Sequence, residues 1–393
     1  MSIFNLRLCT NAIIYILPAL FASTLCFKLH PLKVGRSDKF RESSNNILSF
    51  SCISLLNPKL NHLKHKEFGY KNSNFHLHVI EIMKSENVKH HHSPFVNDVD
   101  MNCEGNNVRQ KQLDEEETAI TNILIILNRP IPTLYKEEIK SNEKMNESNK
   151  SLFEYLWEKS SLRICADGGA NRLYRATSQN EQKSNYLPDF IVGDLDSIKD
   201  NVRDYYQSNG CSICRDSNQD INDLDKSVQA ICDLKMKNEK VITLDKDSLD
   251  YTAINLKKCR ICIYGAFGGR FDQTMASIQT LYKWIKNPLF SEDEIILYTE
   301  ETSARFLDVE RTHVIHVERS KEGPCCGLIP IGSRCDSVST EGLQWNLNED
   351  MGPMEFGGLV STSNLITGNN VKVNCSQPLI WTTEIRGFQN SND

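Results

Sequence analysis

Three stretches of the chain differ in how their apolar positions are spaced. Arg7 is followed by an apolar run over 12–27, broken by Pro18 and Thr24. This has the order of a positive n-region and an h-region, as in a secretory signal or weak membrane anchor. It is short for a spanning helix, and no small-x-small cleavage site follows it. From Lys28 to about Glu117 the chain is polar, rich in Asn, Ser, Lys and His, with no sustained period, and is expected to be disordered.

Order is expected from about Asn122. The run 123–127 is continuously apolar and β-branched, as a strand buried on both faces should be. An amphipathic helix over 152–159, a strand over 162–166 and a helical turn follow. Then come strand 190–192, helix 202–208, strand 211–214, helix 224–236, strand 260–264 and a helix from about 272 to 285. Polar insertions at 136–150 and 245–258 fall between elements, where added length costs little. This alternation predicts an α/β domain with a mainly parallel sheet covered on both faces. After about Glu294 the helical period gives way to short β-rich runs at 295–298, 312–317, 326–330, 337–340, 358–361, 371–375 and 379–383. They predict an antiparallel β-sandwich or barrel. The expected organisation is an extension over 1–117, an α/β catalytic domain over 118–293 and a β-sandwich over 294–388.

Composition changes this picture little. A net charge of −6 offers no basic stripe for nucleic acid or an anionic membrane. The 14 cysteines are scattered, which fits reduced thiols in the cytosol better than a disulfide framework. Cys211/Cys214 and Cys259/Cys262 have zinc-pair spacing, but residues three apart on a strand point to opposite faces, so buried thiols are preferred. Eight of the ten histidines lie in the polar extension, including His90, His91 and His92; with no surrounding ligand set, a solvated tract is expected there in preference to metal binding.

Candidate chemistry sits where the predicted strands end. Four acidic, glycine-bearing turns occur: 166–171 around Asp167, 193–197 around Asp194 and Asp196, 219–226 around Asp223, and 268–273 around Arg270. In an open parallel sheet, ligands collect at these carboxyl ends. Converging carboxylates repel unless a hard divalent cation joins them. Neighbouring glycines let backbone N–H groups approach phosphate oxygens, and Lys226 and Arg270 add positive charge. Together the four turns point to magnesium–nucleotide chemistry. Each alone has a plainer reading. Asp167-Gly168 can be an ordinary turn, Asp220, Asp223 and Asp225 helix-start carboxylates, and Arg270–Asp272 a surface pair. Asp194-x-Asp196 also has the form of a nucleotide-sugar transferase motif. Neither a phosphate loop nor a dinucleotide or protein-kinase signature is present.

The segments 165–174 (Cys-Ala-Asp-Gly-Gly-Ala-Asn-Arg-Leu-Tyr), 188–198 (Pro-Asp-Phe-Ile-Val-Gly-Asp-Leu-Asp-Ser-Ile) and 269–273 (Gly-Arg-Phe-Asp-Gln) resemble eukaryotic thiamine pyrophosphokinases. So do 326–330, 342–347 and 361–364, in the same order, and the resemblance spans 122–385, about two thirds of the chain. It implies transfer of pyrophosphate from ATP to thiamine with Mg2+ and a homodimer with active sites at its interface; the need for ATP favours a cytoplasmic enzyme over a secreted or membrane-tethered form. By motif it places Asp167, Asp194, Asp196 and Asp223 at the magnesium and nucleotide site. It puts Gly168, Gly169, Gln219, Lys226, Gly269, Arg270 and Asp272 around the phosphates, and Trp345, Ser361, Thr362, Ser363 and Asn364 on the thiamine side. An indole face suits a thiazolium cation, although a core tryptophan is the competing reading of Trp345. A family member that binds without turnover is a further alternative. The extension and the two long insertions depart from the family pattern.

Overall fold

The computed structural model describes residues 88–95, 120–132, 134, 150–178, 183–239, 254–309 and 311–388. The apolar start, most of the polar tract and most of both insertions lie outside these residues. Strands β2 (Thr121–Ile126), β3 (Leu162–Ala166), β4 (Phe190–Gly193), β5 (Ser212–Arg215), β6 (Cys259–Tyr264) and β7 (Glu294–Tyr298) pair in parallel in the order β7-β6-β2-β3-β4-β5. Helices α1 (Leu152–Lys159), α2 (Gly169–Ala176), α3 (Asp200–Ser208), α4 (Asp223–Glu239) and α5 (Phe271–Trp284) connect them.

The continuous apolar run of β2 is explained by burial on two sides. Leu124 and Ile126 pack with Leu173 and Val202, from α2 and α3, whereas Ile123 and Ile125 pack with Val228 and Leu281, from α4 and α5. Alternate side chains thus enter opposite layers. Helix α1 starts sharply because Ser151 and Glu154 form a reciprocal capping box.

Beyond β7 the same sheet continues with antiparallel strands. β8 (Thr302–Leu307), β14 (Leu379–Ile385), β10 (Glu322–Ile329) and β12 (Ser361–Leu365) extend it to ten strands. A four-stranded sheet, β1-β9-β13-β11, is built from Val88–His91, Thr312–His316, Asn370–Cys375 and Val338–Glu341. A separate core joins the two sheets, with Ile315, Val371 and Val373 of the small sheet beside Leu307, Leu328 and Trp381 of the large one. The architecture is therefore α/β followed by a β-rich half. Three expectations about the strands of this half are corrected. The run at 294–298 pairs in parallel with β6, because it closes the β6–α5 crossover. Strand β8 replaces an expected gap, and 358–361 mostly precedes β12.

The largest correction concerns 88–95, which was expected to be disordered. β1 pairs in parallel with β9, and Phe95 packs against Tyr155, Tyr298 and Phe388. His91 is 3% exposed, its Nε2 lying 2.9 Å from His313 Nδ1 and its Nδ1 3.5 Å from the Glu294 carboxylate. Arg260 donates to Glu294 at 2.9 Å and to the His92 carbonyl at 3.2 Å. A polar segment is thus fixed by strand pairing and a buried ionic network. Such networks favour one arrangement more than they add net stability.

Burial pushes the His91 imidazole down to about 4 from 6.5, with the Glu294 carboxylate opposing. The folded value is the lower one, so the contribution of neutral His91 is complete above pH 6.5 and is lost as pH falls toward 4. Stability should therefore drop by about 2 kcal/mol between pH 7 and 5. Urea midpoints across that range measure it, and a His91→Gln variant should show a flatter profile.

Candidate active site

The strand order places the chain reversal between β2 and β6: β3, β4 and β5 follow outward on one side, β6 and β7 on the other. The crevice over this switch point is where an open α/β sheet accepts ligands. Residues from both strand ends meet there. The Arg129 guanidinium lies so close over the 268–269 backbone that a Cβ at Gly269 would overlap its Nη1. Asn128 occupies the space a Cβ of Gly168 would need, and its side-chain oxygen accepts from Arg172 Nε at 2.8 Å.

Beside this crevice the ends of β3 and β4 and the start of α4 bring Asp167, Asp194 and Asp223 together, one carboxylate oxygen from each lying within 4.8 Å of the others. The loops are tightly drawn. Asp167 and Leu195 adopt positive φ of 37° and 66°, unusual for residues with a Cβ and typical of strained functional loops. The Asp167 carboxylate accepts from the backbone N–H groups of Ser197 (3.0 Å) and Ile198 (3.2 Å). Gln219 donates to Asp194 at 3.1 Å. The buried Lys226 ammonium lies 3.2 Å from Asp223 and 3.7 Å from Asp194.

One ammonium thus pairs with two of the three carboxylates, Asp223 and Asp194. Burial raises the proton affinity of Asp167, against the Ser197 N–H that favours its anion. Burial also raises that of Asp223, with Lys226 opposing. Asp194 is held below the usual carboxylate range, chiefly by the Gln219 amide. An oxygen-only cluster with surplus negative charge fits a hard divalent cation of the magnesium type, which keeps several waters and takes few carboxylates.

Other candidate residues lie elsewhere. Asp196 is exposed and accepts from the Ser197 hydroxyl at 2.9 Å, outside the three-carboxylate group. Arg270 and Asp272 are exposed and paired with one another, with no ion pair to the aspartates among the described residues. Asp225 points away from the cluster, joining α4 to α5 through Thr280 (3.0 Å), Lys283 (3.0 Å) and Trp284 (2.8 Å). Gly168 and Gly169 start α2. A Cβ on Gly169 would overlap the Ile126 carbonyl oxygen, so the glycine permits close helix–strand packing. A cleft of about 450 Å³ opens nearby, lined by Asn128, Asn171, Arg172, Tyr174, Arg175 and Lys199.

In the β-rich half, Trp345 is 55% exposed, so the core reading of this residue fails; the core tryptophan is Trp381. Its loop is tied down by buried Asn364, which donates to the Trp345 carbonyl at 2.8 Å and accepts from its N–H at 3.3 Å. Ser361 is buried beside Asn364, whereas Thr362 and Ser363 are exposed and Ser363 has φ of 56°. Sequence reading missed Asn128 and Arg129. The signal available was their position after the apolar run of β2, at the same end as the acidic turns.

Two family models match the chain: the thiamin pyrophosphokinase catalytic domain over 153–290, and the thiamin pyrophosphokinase vitamin B1 binding domain over 312–380. The chain is 38% identical over 239 residues to thiamine pyrophosphokinase 1 of Oryza sativa subsp. japonica, covering 59% of this chain and 81% of that protein. It is 34% identical over 281 residues to thiamine pyrophosphokinase 1 of Arabidopsis thaliana, covering 70% and 90%. The crystal structure of yeast thiamin pyrophosphokinase superposes with a TM-score of 0.54 at 27% identity, covering 70% of this chain and 90% of that one.

Proposed function

The chain belongs to the thiamin pyrophosphokinase family, and from that premise we propose that its aspartate cluster is where pyrophosphate passes from ATP to thiamine. The protein is a transferase that gives thiamine diphosphate and AMP. The thiamine hydroxyl oxygen bonds to the β-phosphorus, the bond from that phosphorus to the α,β-bridging oxygen breaks, AMP leaves and the hydroxyl proton is released.

The observation that carries the site assignment is the meeting of Asp167, Asp194 and Asp223, with Lys226 beside the last two. These three aspartates would hold Mg2+, which when bound neutralises triphosphate oxygens and favours the in-line geometry. Lys226 offsets charge on the transferred group. Gln219 holds Asp194 in place, and the Ser197 and Ile198 amides hold Asp167. Positioning of this kind provides most of the rate in phosphoryl transfer. Arg129, over the switch-point crevice, and the cleft lined by Arg172, Tyr174 and Lys199 are assigned to the rest of the nucleotide.

Trp345 with Thr362 and Ser363 is assigned to thiamine, the indole face attracting the thiazolium by roughly 0.5–2 kcal/mol. Among the described residues, no hydrogen bond or ion pair links this group to the aspartates of the same chain. Exposed Phe271, Met275, Trp345 and Phe356 support a homodimer with sites at its interface. The described cysteines are all unpaired, and no helix of the described residues is long and apolar enough to cross a membrane. The unpaired thiols and the need for ATP support a cytoplasmic enzyme.

Incubation with ATP, thiamine and Mg2+ should yield AMP and thiamine diphosphate in equal amounts, with both products abolished by a chelator. Formation of ADP instead, or sugar transfer from a nucleotide sugar, would overturn the assignment.

A further inference from the structure

The histidine run at 90–92 is divided by the pleat of β1. His91 turns inward to His313 and Glu294, while His90 and His92 share the outer face of the small sheet. Parallel pairing of His90 with Val314 and His91 with Ile315 brings the next residue of β9, His316, onto that outer face. Three imidazoles, from β1, the residue after it and β9, therefore converge, with one ring nitrogen of each within 4.8 Å of the others. His90 Nδ1 lies 2.9 Å from His316 Nε2, and the His92 and His316 rings stack at 4.5 Å.

We propose that His90, His92 and His316 form a second metal site, for a borderline divalent cation of the zinc type. Zinc bound by imidazole at about 2.0–2.1 Å in a tetrahedron needs ligand nitrogens roughly 3.3 Å apart. The His90–His316 pair is already near that separation. The third nitrogen, from His92, lies within 4.8 Å of the other two. Three histidines leave the fourth position to water.

The surroundings suit an imidazole–metal site. Arg260 fixes the His92 carbonyl, and Asn370 of β13 pairs with His316 in the strand register. Such outer partners orient metal-bound histidines. The two sites also select different ions, since the aspartate cluster offers only hard oxygens and this one only nitrogens. An ion here would clamp β1 to β9 and hold Phe95 in the core.

The test uses the full chain without a histidine tag. Zn2+ affinity is measured by competition with a chromophoric chelator, and Co2+ is added as a spectroscopic probe. Wild type should bind one equivalent at this site, with the visible absorption of four-coordinate cobalt, and Zn2+ should raise its thermal midpoint. His316→Gln, on β9, and His92→Gln, just past β1, should each lose that equivalent. A fall in affinity of about 100-fold or more is expected for a lost ligand, beyond what an outer partner costs. Both variants should still form AMP with Mg2+, which shows that they fold. Absence of Zn2+ binding overturns the proposal. So does binding that both variants retain, which would assign the ion to upstream histidines such as His76 and His78.

Discussion

Asp194→Asn should lower the turnover of thiamine at least 100-fold while the protein remains folded. Asparagine keeps the size and shape of the side chain but removes the anionic oxygen that a cation would bind. A 100-fold loss corresponds to about 2.7 kcal/mol of transition-state stabilisation, within reach of one charged contact in a preorganised site. Fold damage should be small. The Asp194 side chain is partly exposed, and Lys226 keeps Asp223 at 3.2 Å when Asp194 is neutralised. The variant should also need more Mg2+ for half-maximal rate. Turnover and thermal midpoint, measured over a Mg2+ series, separate a lost ligand from a lost fold. Near-normal turnover would remove the aspartate cluster from the chemistry.

What the sequence revealed and concealed follows from where each signal resides. The parallel sheet was legible because a central strand such as β2 is buried on both faces and so reads as a nearly continuous apolar run. Helix α1 was legible to the residue because Ser151 and Glu154 write its start in two side chains. Strand β8 was missed because it buries Ser303 and Arg305, which read as polar and exposed. Strand β1 carries one apolar residue in four, and its place depends on β9, more than 200 residues away. Pattern methods register side-chain period, not backbone pairing at such distances. Asn128 and Arg129 were hidden for a related reason: their importance arises from β2 lying beside β6, and no local pattern states strand order. Trp345 needed its exposure to be seen, since a tryptophan in a β-rich half is more often core.

Gly193→Ala should be nearly as damaging as the loss of an aspartate, although it removes no functional group. A Cβ at this position would fall 2.7 Å from the Asp167 Cβ and 3.1 Å from an Asp223 carboxylate oxygen. Neither neighbour can yield easily. The Asp167 N–H bonds to the Val192 carbonyl at 2.9 Å, and its carboxylate is held by Ser197 and Ile198. Asp223 is held by Lys226. The added methyl must therefore push Asp167 and Asp223 away from each other or displace the end of β4. Turnover should fall about 100-fold, the effect of misplacing reacting groups by about an ångström. Overpacking of this kind costs about 1–3 kcal/mol, so the thermal midpoint should fall by several degrees. Gly210→Ala separates the two effects. Gly210 has φ of 90° with nothing within 4 Å of its absent Cβ, so alanine there strains the backbone without touching the cluster. That variant should lose stability and keep its turnover. Equal activity in the two variants would mean that the close approach of Asp167 to Asp223, which only a glycine at 193 permits, has no role in catalysis.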